Sequence, residues 1–234
     1  MKNMLVPIVL LVILICGHSD AQWNKCDSGF CSLASIGSSG AFTTFAPATL
    51  SNATLSNGNL TATRTNTSTG GAASTSYKSS GKYCFTVTVG SSTANTDFIG
   101  TQDNTTGYPA ETNGSPGNYA GYRVKNNQIL LSGGSQGALQ AVPVSGNKIN
   151  VAVDIGNLRC WYQLSNPTAG NWNNDASANP ATNTNGKVCL ANVAPVVAFS
   201  SIGSPTVGDN FTADFSSTAC SGQLPSGFTA GWPQ

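Results

Sequence analysis

The chain has 234 residues, of which 10 are Lys or Arg and 9 are Asp or Glu, so its formal net charge is +1. Charged residues make up 8% of the chain, whereas they make up about a quarter of a typical globular domain. This composition excludes nucleic acid as a partner, because binding to phosphate backbones requires clustered positive charge.

The first 21 residues have the pattern of a secretory signal peptide. Lys2 supplies a positive start, an apolar run follows from Leu5 to Cys16, and small residues precede the expected cleavage after Ala21. The apolar run is too short to span a bilayer, so we expect a secreted, extracellular product with no membrane association after cleavage. A lipoprotein signal ending at Cys16 and an uncleaved anchor are the alternatives.

The rest of the chain divides by composition into an extension at 22–41, which is rich in Cys, Gly and Ser, and one domain at 42–234. No segment of this domain has a convincing helical period. Short strand-like segments recur instead, and clusters of Gly, Asn, Ser and Pro separate them. In chain order they are "NLTATRT", "KYCFTVTV", "DFIGTQ", "YRVKNN", "ILLSG", "INVAVDI", "LRCWYQL", "APVVAFSS" and "NFTADFS". Roughly ten short strands of this kind predict an all-β sandwich or barrel.

The glycine-rich segment "SGGSQG" at 132–137 is the one motif that resembles a phosphate-binding loop. It lacks the Lys of such a loop, and its neighbours are strand-like, whereas a phosphate loop joins a strand to a helix. We therefore predict a turn at this position.

Six cysteines remain once the leader is removed, and an even number in a secreted chain indicates disulfide bonds. Cys26 and Cys31 are close enough in sequence to close a local loop, and no histidine accompanies them as a metal ligand would. Several pairings are open. The preferred ones are Cys26–Cys31, Cys160–Cys189 and, for the remaining two, Cys84–Cys220.

Several segments occur in a familiar order: "SSGKYCFTVTV" (79–89), "NKINVAVDIGNLRCWYQLSN" (147–166), "GNW" (170–172) and "LPSGFTAGW" (224–232). Together they resemble the SPRY (B30.2-like) domain, in particular the version found in phage and bacterial proteins, over residues 42–232. The sequence departs from that pattern at Cys84, where an aromatic residue is usual, and in "SNPTAGN", which replaces a short "NG" turn.

The resemblance implies a fold and a class of function. The fold would be a bent sandwich of two antiparallel sheets related to the concanavalin-like jelly roll. SPRY domains are generally recognition modules that bind through loops at one edge, and they are not known as a catalytic family.

The residue inventory argues against catalysis. The only histidine, His18, lies in the leader, and Glu111 is the only glutamate. Hydrolysis of sugars on a lectin-like sandwich requires two close carboxylates, and no predicted strand carries such a pair. Asp154 stands alone in its strand, where we expect it to accept a hydrogen bond from a neighbouring turn. We predict a protein that is not an enzyme and holds no metal and no cofactor.

Two polar, aromatic-bearing stretches are the candidate ligand-binding residues. The first contains Trp172, Asn173 and Asn174, and the second contains Tyr108 and Tyr119. Aromatic plates beside amides suit sugars, and loops rich in Tyr, Ser, Gly and Asn also suit protein recognition. The alternative for Trp172 is that it packs its loop onto the sheet.

The sequence thus predicts a secreted, non-catalytic recognition module that binds a glycan or a protein at a cell surface. The alternative is a self-assembling structural subunit of an extracellular filament, a surface layer or a virion. Low charge and disulfides suit that alternative as well. A glycosidase, the third hypothesis, is nearly excluded by the missing carboxylate pair.

Overall fold

The computed structural model describes residues 41–103, 118–132 and 134–234, and these form two antiparallel sheets. Their strands are β1 (Ala53–Ser56), β2 (Thr61–Arg64), β3 (Gly70–Ala73), β4 (Lys82–Ser91), β5 (Phe98–Asp103), β6 (Tyr119–Arg123), β7 (Gln128–Leu131), β8 (Gly134–Gly137), β9 (Lys148–Asp154), β10 (Arg159–Leu164), β11 (Lys187–Val188), β12 (Val193–Phe199), β13 (Asn210–Asp214) and β14 (Thr229–Ala230). Short 3-10 turns lie at Pro47–Thr49, Trp172–Asn174 and Pro180–Thr182.

The eight-stranded sheet has the order β1-β2-β13-β4-β9-β10-β11, with β14 paired in parallel to β4. The six-stranded sheet has the order β3-β12-β5-β6-β7-β8. This arrangement confirms the predicted all-β, two-sheet antiparallel fold. The predicted strand segments coincide with β2, β4 to β7, β9, β10, β12 and β13, because alternating apolar residues face one core.

The main hydrophobic core combines residues from both sheets. Phe85, Val151 and Tyr162 come from the eight-stranded sheet, and Ile99 and Val197 come from the six-stranded sheet. All five are at most 1% exposed. The sheets therefore bury one face of each strand against the other sheet, as in a sandwich.

The opposite face of the six-stranded sheet is also apolar and buried. Phe98 packs edge-on against Tyr119 there, with ring centroids 5.0 Å apart. Its ring also lies over two glycines, Gly100 of the same strand and Gly121 of the neighbouring β6: a Cβ would come within 3.0 Å of the ring at Gly100 and within 2.3 Å at Gly121. Only glycine fits at these two positions without displacing the ring.

The prediction of a turn for the whole glycine-rich segment is wrong, because Gly134–Gly137 forms the edge strand β8 and pairs with β7. Glycine weakens a strand by itself, so other contacts must hold this one. The Gln136 side chain accepts a hydrogen bond from the Val188 N–H at 2.8 Å and donates to the Val188 carbonyl at 3.0 Å. This side chain therefore joins the edge of the six-stranded sheet to β11 of the other sheet.

Two disulfides cross-link the described residues. Cys84 pairs with Cys220 and Cys160 pairs with Cys189, which confirms two of the preferred pairings. The predicted Cys26–Cys31 pair lies outside the described residues. Disulfides fit an oxidising, extracellular compartment. No helix in the described ranges is long and apolar enough to cross a membrane.

Candidate recognition surface

The outward face of the eight-stranded sheet carries a long connection, residues 165–186, between β10 and β11. We call it the 165–186 loop. The Cys160–Cys189 disulfide closes its base. The indole N–H of Trp161, which points outward from β10, donates to the carbonyl of Thr184 at 2.9 Å. The loop is thus fastened to the strand from which it starts.

Asn173 holds the middle of this loop against the sheet. β11 pairs with β10 only at Arg159 and Cys160. The next backbone N–H of β10 that points along the sheet away from β9 is that of Tyr162, and it needs another acceptor. The Asn173 Oδ1 accepts it at 2.9 Å, and the Asn173 Nδ2 donates to the Asn185 carbonyl at 3.0 Å. Asn173 is 5% exposed, so its amide serves the loop and offers little surface to a ligand.

Trp172 and Asn174 flank this buried amide and differ from it in exposure. Trp172 is half-buried and packs against an apolar cluster that includes Trp161 and Phe228. Asn174 is exposed at a φ of 55°, a left-handed conformation that Asn tolerates better than most residues. Part of the Trp172 side chain and the Asn174 side chain therefore face solvent.

The second predicted stretch does not join this surface. Tyr119 lies on the outward face of the six-stranded sheet, on the other side of the sandwich, and is 1% exposed. This burial does not favour a direct ligand contact, and the role of Tyr119 stays a prediction. Tyr108 lies outside the described residues, and its role stays a prediction.

A polar cleft on the same outward face was not predicted. It has a volume of about 310 Å³ and lies between the start of the 165–186 loop and the chain around Cys220. We call it the polar cleft. The residues that form most of its lining are Thr86 and Asn150 from the sheet, Ser165 and Asn166 from the loop, and Thr218 and Ser221 beside the Cys84–Cys220 disulfide.

The floor of the polar cleft is a chain of hydrogen bonds across three strands. Thr86 donates to the Asn150 Oδ1 at 2.8 Å, and the Asn150 Nδ2 donates to Gln163 at 3.2 Å. Thr86 also accepts from the N–H of Cys220 at 2.8 Å. In the sequence these residues alternate with the apolar core positions of β4, β9 and β10. That alternation shows which face they occupy, but only the strand register brings them together.

Asp154 borders this face and has a structural role, as predicted. It accepts hydrogen bonds from the backbone N–H and the side chain of Asn157, and its Oδ2 lies 2.9 Å from the Lys82 Nζ. Burial would raise the pKa of Asp154, but the hydrogen bonds from Asn157 and the Lys82 cation outweigh it and lower that pKa. Within the described residues, no group of three or more His, Cys, Asp or Glu side chains is placed to hold a metal ion.

No protein-family model and no characterised protein sequence matches the chain. Solved structures do match. The SPRY domain of human HERC1 has a TM-score of 0.52 and 16% identity, with 72% of this chain and 96% of that chain covered. The PSpry domain of TRIM65 has a TM-score of 0.51 and 12% identity, with 74% and 92% covered. The chain therefore shares the SPRY-like sandwich fold that its motifs resemble.

Proposed function

We propose that the protein is a secreted, non-catalytic recognition module that binds a glycan or a protein at a cell surface through the 165–186 loop. The observation that carries the proposal is that this loop has little regular structure and yet is fixed at several points. The disulfide at its base, the Trp161 bond to Thr184 and the Asn173 bonds hold it in one shape. A loop that is already ordered loses less conformational entropy on binding.

The loop also presents suitable chemistry. A partly exposed indole and an exposed amide combine an apolar plate with a donor and an acceptor, which suits both sugars and polar protein surfaces. The SPRY-like fold supports a protein partner, since the family that the motifs resemble consists mainly of recognition modules. The predicted leader and the disulfides support secretion.

The test compares binding of the full secreted chain and of its variants in a glycan array and in a pull-down from cell-surface extracts. We expect Asn174→Ala to weaken binding by at least about tenfold and to lower the free energy of unfolding by about 1–2 kcal/mol, the strain of Ala at a positive φ. The control below shares this strain. Trp172→Ala is expected to weaken both binding and stability, because its ring packs on the cluster.

The matched control is Asn57→Ala. Asn57 is exposed and has a φ of 51°, close to that of Asn174, but it lies in the turn between β1 and β2 at the far edge of the sheet. Equal binding by Asn174→Ala and the unmodified chain would refute the loop as the binding surface. Sedimentation of the same samples reports the alternative: concentration-dependent assembly with no ligand captured would favour a structural subunit.

A further inference from the structure

We propose that the polar cleft is a second binding site, separate from the exposed tip of the 165–186 loop, and that it takes one or two units of a neutral saccharide. Its volume of about 310 Å³ is at the lower end of the roughly 300–1,000 Å³ that small-molecule sites occupy. Such sites are mostly apolar, whereas this one is lined by hydroxyl and amide groups. The polar lining points to a hydrophilic ligand.

The first argument is the remaining hydrogen-bonding capacity of Asn150 in the floor of the polar cleft. A carboxamide has two N–H donors and two acceptor lone pairs. The bonds to Gln163 and from Thr86 use one donor and one lone pair, and they fix the plane of the group. Asn150 lines the cleft, and although only 2% of it is exposed, these two bonds leave it a second donor and a second lone pair. A sugar hydroxyl, which both donates and accepts, matches this pair.

The second argument is the balance of charge at the rim. Lys148 and Asp214 are the ionisable residues of the lining, so its formal charge is zero. Asp214 already accepts hydrogen bonds from the N–H and hydroxyl of Ser216, at 2.9 and 2.6 Å, and from Thr218 at 3.1 Å. A neutral ligand needs no counter-charge from this lining, whereas an anion would meet a carboxylate as well as the Lys148 cation.

The third argument is rigidity. One wall belongs to the segment closed by Cys160–Cys189, and the other is tied to β4 by Cys84–Cys220. The N–H of Cys220 also donates to Thr86 in the floor. The donors and acceptors are thus positioned before a ligand arrives, which lowers the entropic cost of binding.

The experiment titrates the full secreted chain with neutral hexoses, N-acetylhexosamines and their disaccharides, and follows the side-chain amide signals of Asn150 by NMR. We expect at least one neutral saccharide to shift these signals at millimolar concentration. Ser221→Leu, which fills the cleft from an exposed position, should weaken this binding at least about tenfold. Ser217→Leu is its control, since Ser217 is exposed four residues earlier and does not line the cleft.

A second variant tests the same cleft without introducing a larger side chain. Thr88→Val removes one half-buried hydroxyl from the lining and should weaken binding roughly three- to tenfold, as expected for a lost hydrogen bond. Thr63→Val is the control: Thr63 is a half-buried threonine on the same outward face but outside the cleft.

Three results would overturn the inference. The first is that no neutral saccharide moves the Asn150 signals. The second is that Ser221→Leu binds as well as Ser217→Leu. The third is that only a uronic acid binds and that Lys148→Gln abolishes its binding, since the ligand would then be anionic. None of these results bears on the proposed function, because that is tested separately by the binding of the Asn174→Ala variant of the 165–186 loop.

Discussion

Arg64 is the cation of a charge cluster that is fully buried at one end of the sandwich. Its Nη2 lies 2.7 Å from an oxygen of Asp97, and its Nε lies 3.7 Å from an oxygen of Asp209. The guanidinium also stands over the ring of Phe199. Two carboxylates share one cation here, so their protonation states determine whether the cluster is neutral.

The pKa values of the two carboxylates are shifted in opposite directions. Burial is the largest influence on Asp97 and raises its pKa from 3.8 to about 6, against the opposing hydrogen bond from Ser200 and the Arg64 cation. Burial would also raise the pKa of Asp209, but hydrogen bonds from Thr93 and Ser91 outweigh it and lower that pKa. Asp97 is therefore the member of the cluster that takes up a proton first.

This difference predicts a protein that gains stability on mild acidification. Because the pKa of Asp97 is higher in the folded than in the unfolded chain, its protonation favours folding. The free energy of unfolding should rise as the pH falls from about 7 to 4, by about 2 kcal/mol from this group. Urea unfolding across this range measures the effect.

The control is Asp97→Asn, whose side chain cannot titrate. In this variant the free energy of unfolding should lack the increase that protonation of Asp97 contributes. The comparison is restricted to pH values above about 4, because Asp154 and Asp209 have lowered pKa values, and their contribution is lost only below that range. If the free energy of unfolding varied with pH in the same way for the unmodified chain and for Asp97→Asn, the raised pKa of Asp97 would be contradicted.

At the scale of elements, the 165–186 loop acts as an extension of the sheet edge. β11 is only two residues long, and beyond it the loop supplies the missing acceptor for β10 through Asn173. The Asn173 side chain thus accepts the hydrogen bond that a backbone carbonyl of a longer neighbouring strand would accept. A buried N–H without such a partner costs about 1–3 kcal/mol.

The variant Asn173→Gly tests this role. Glycine keeps the positive φ of 53° without strain and removes only the side chain, so we expect a loss of about 1–3 kcal/mol in the free energy of unfolding. Asn174→Gly is the matched control, because Asn174 has a similar φ and an exposed side chain, and the entropic cost of glycine is common to both. Equal losses in the two variants would show that the Asn173 amide does not hold the loop.

At the scale of the whole molecule, the two disulfides constrain the unfolded chain to different extents. Cys84–Cys220 joins residues 136 apart in sequence, and Cys160–Cys189 joins residues 29 apart. In the chain-entropy model the longer closure stabilises the fold by about 5 kcal/mol and the shorter one by about 3.5 kcal/mol.

The double variants Cys84→Ala/Cys220→Ala and Cys160→Ala/Cys189→Ala test that order. We expect the first to lower the free energy of unfolding more than the second, as measured by guanidinium denaturation under non-reducing conditions. Both bonds are buried, so the two variants remove similar packing and differ mainly in the length of the closed loop. The opposite order would mean that native contacts outweigh chain entropy.

How much of this was predictable differs between the fold and the site. The alternation in β4, β9 and β10 identified core strands, because side chains of a strand point in turn to opposite faces. The candidate ligand contacts Asn173 and Tyr119 came instead from polar and aromatic composition, which does not reveal whether a side chain already has partners or is buried.

Residue types and local periodicity were enough to predict the strand-rich class and the scarcity of catalytic groups. The cysteine pairs remained preferences among several, and the folded chain sets both these pairs and the contacts between polar residues. Thr86, Asn150 and Gln163 lie far apart in the chain and become neighbours through the register of three strands. Periodicity reports the face of each residue, whereas register depends on long-range pairing, so the polar cleft is a property of the folded chain.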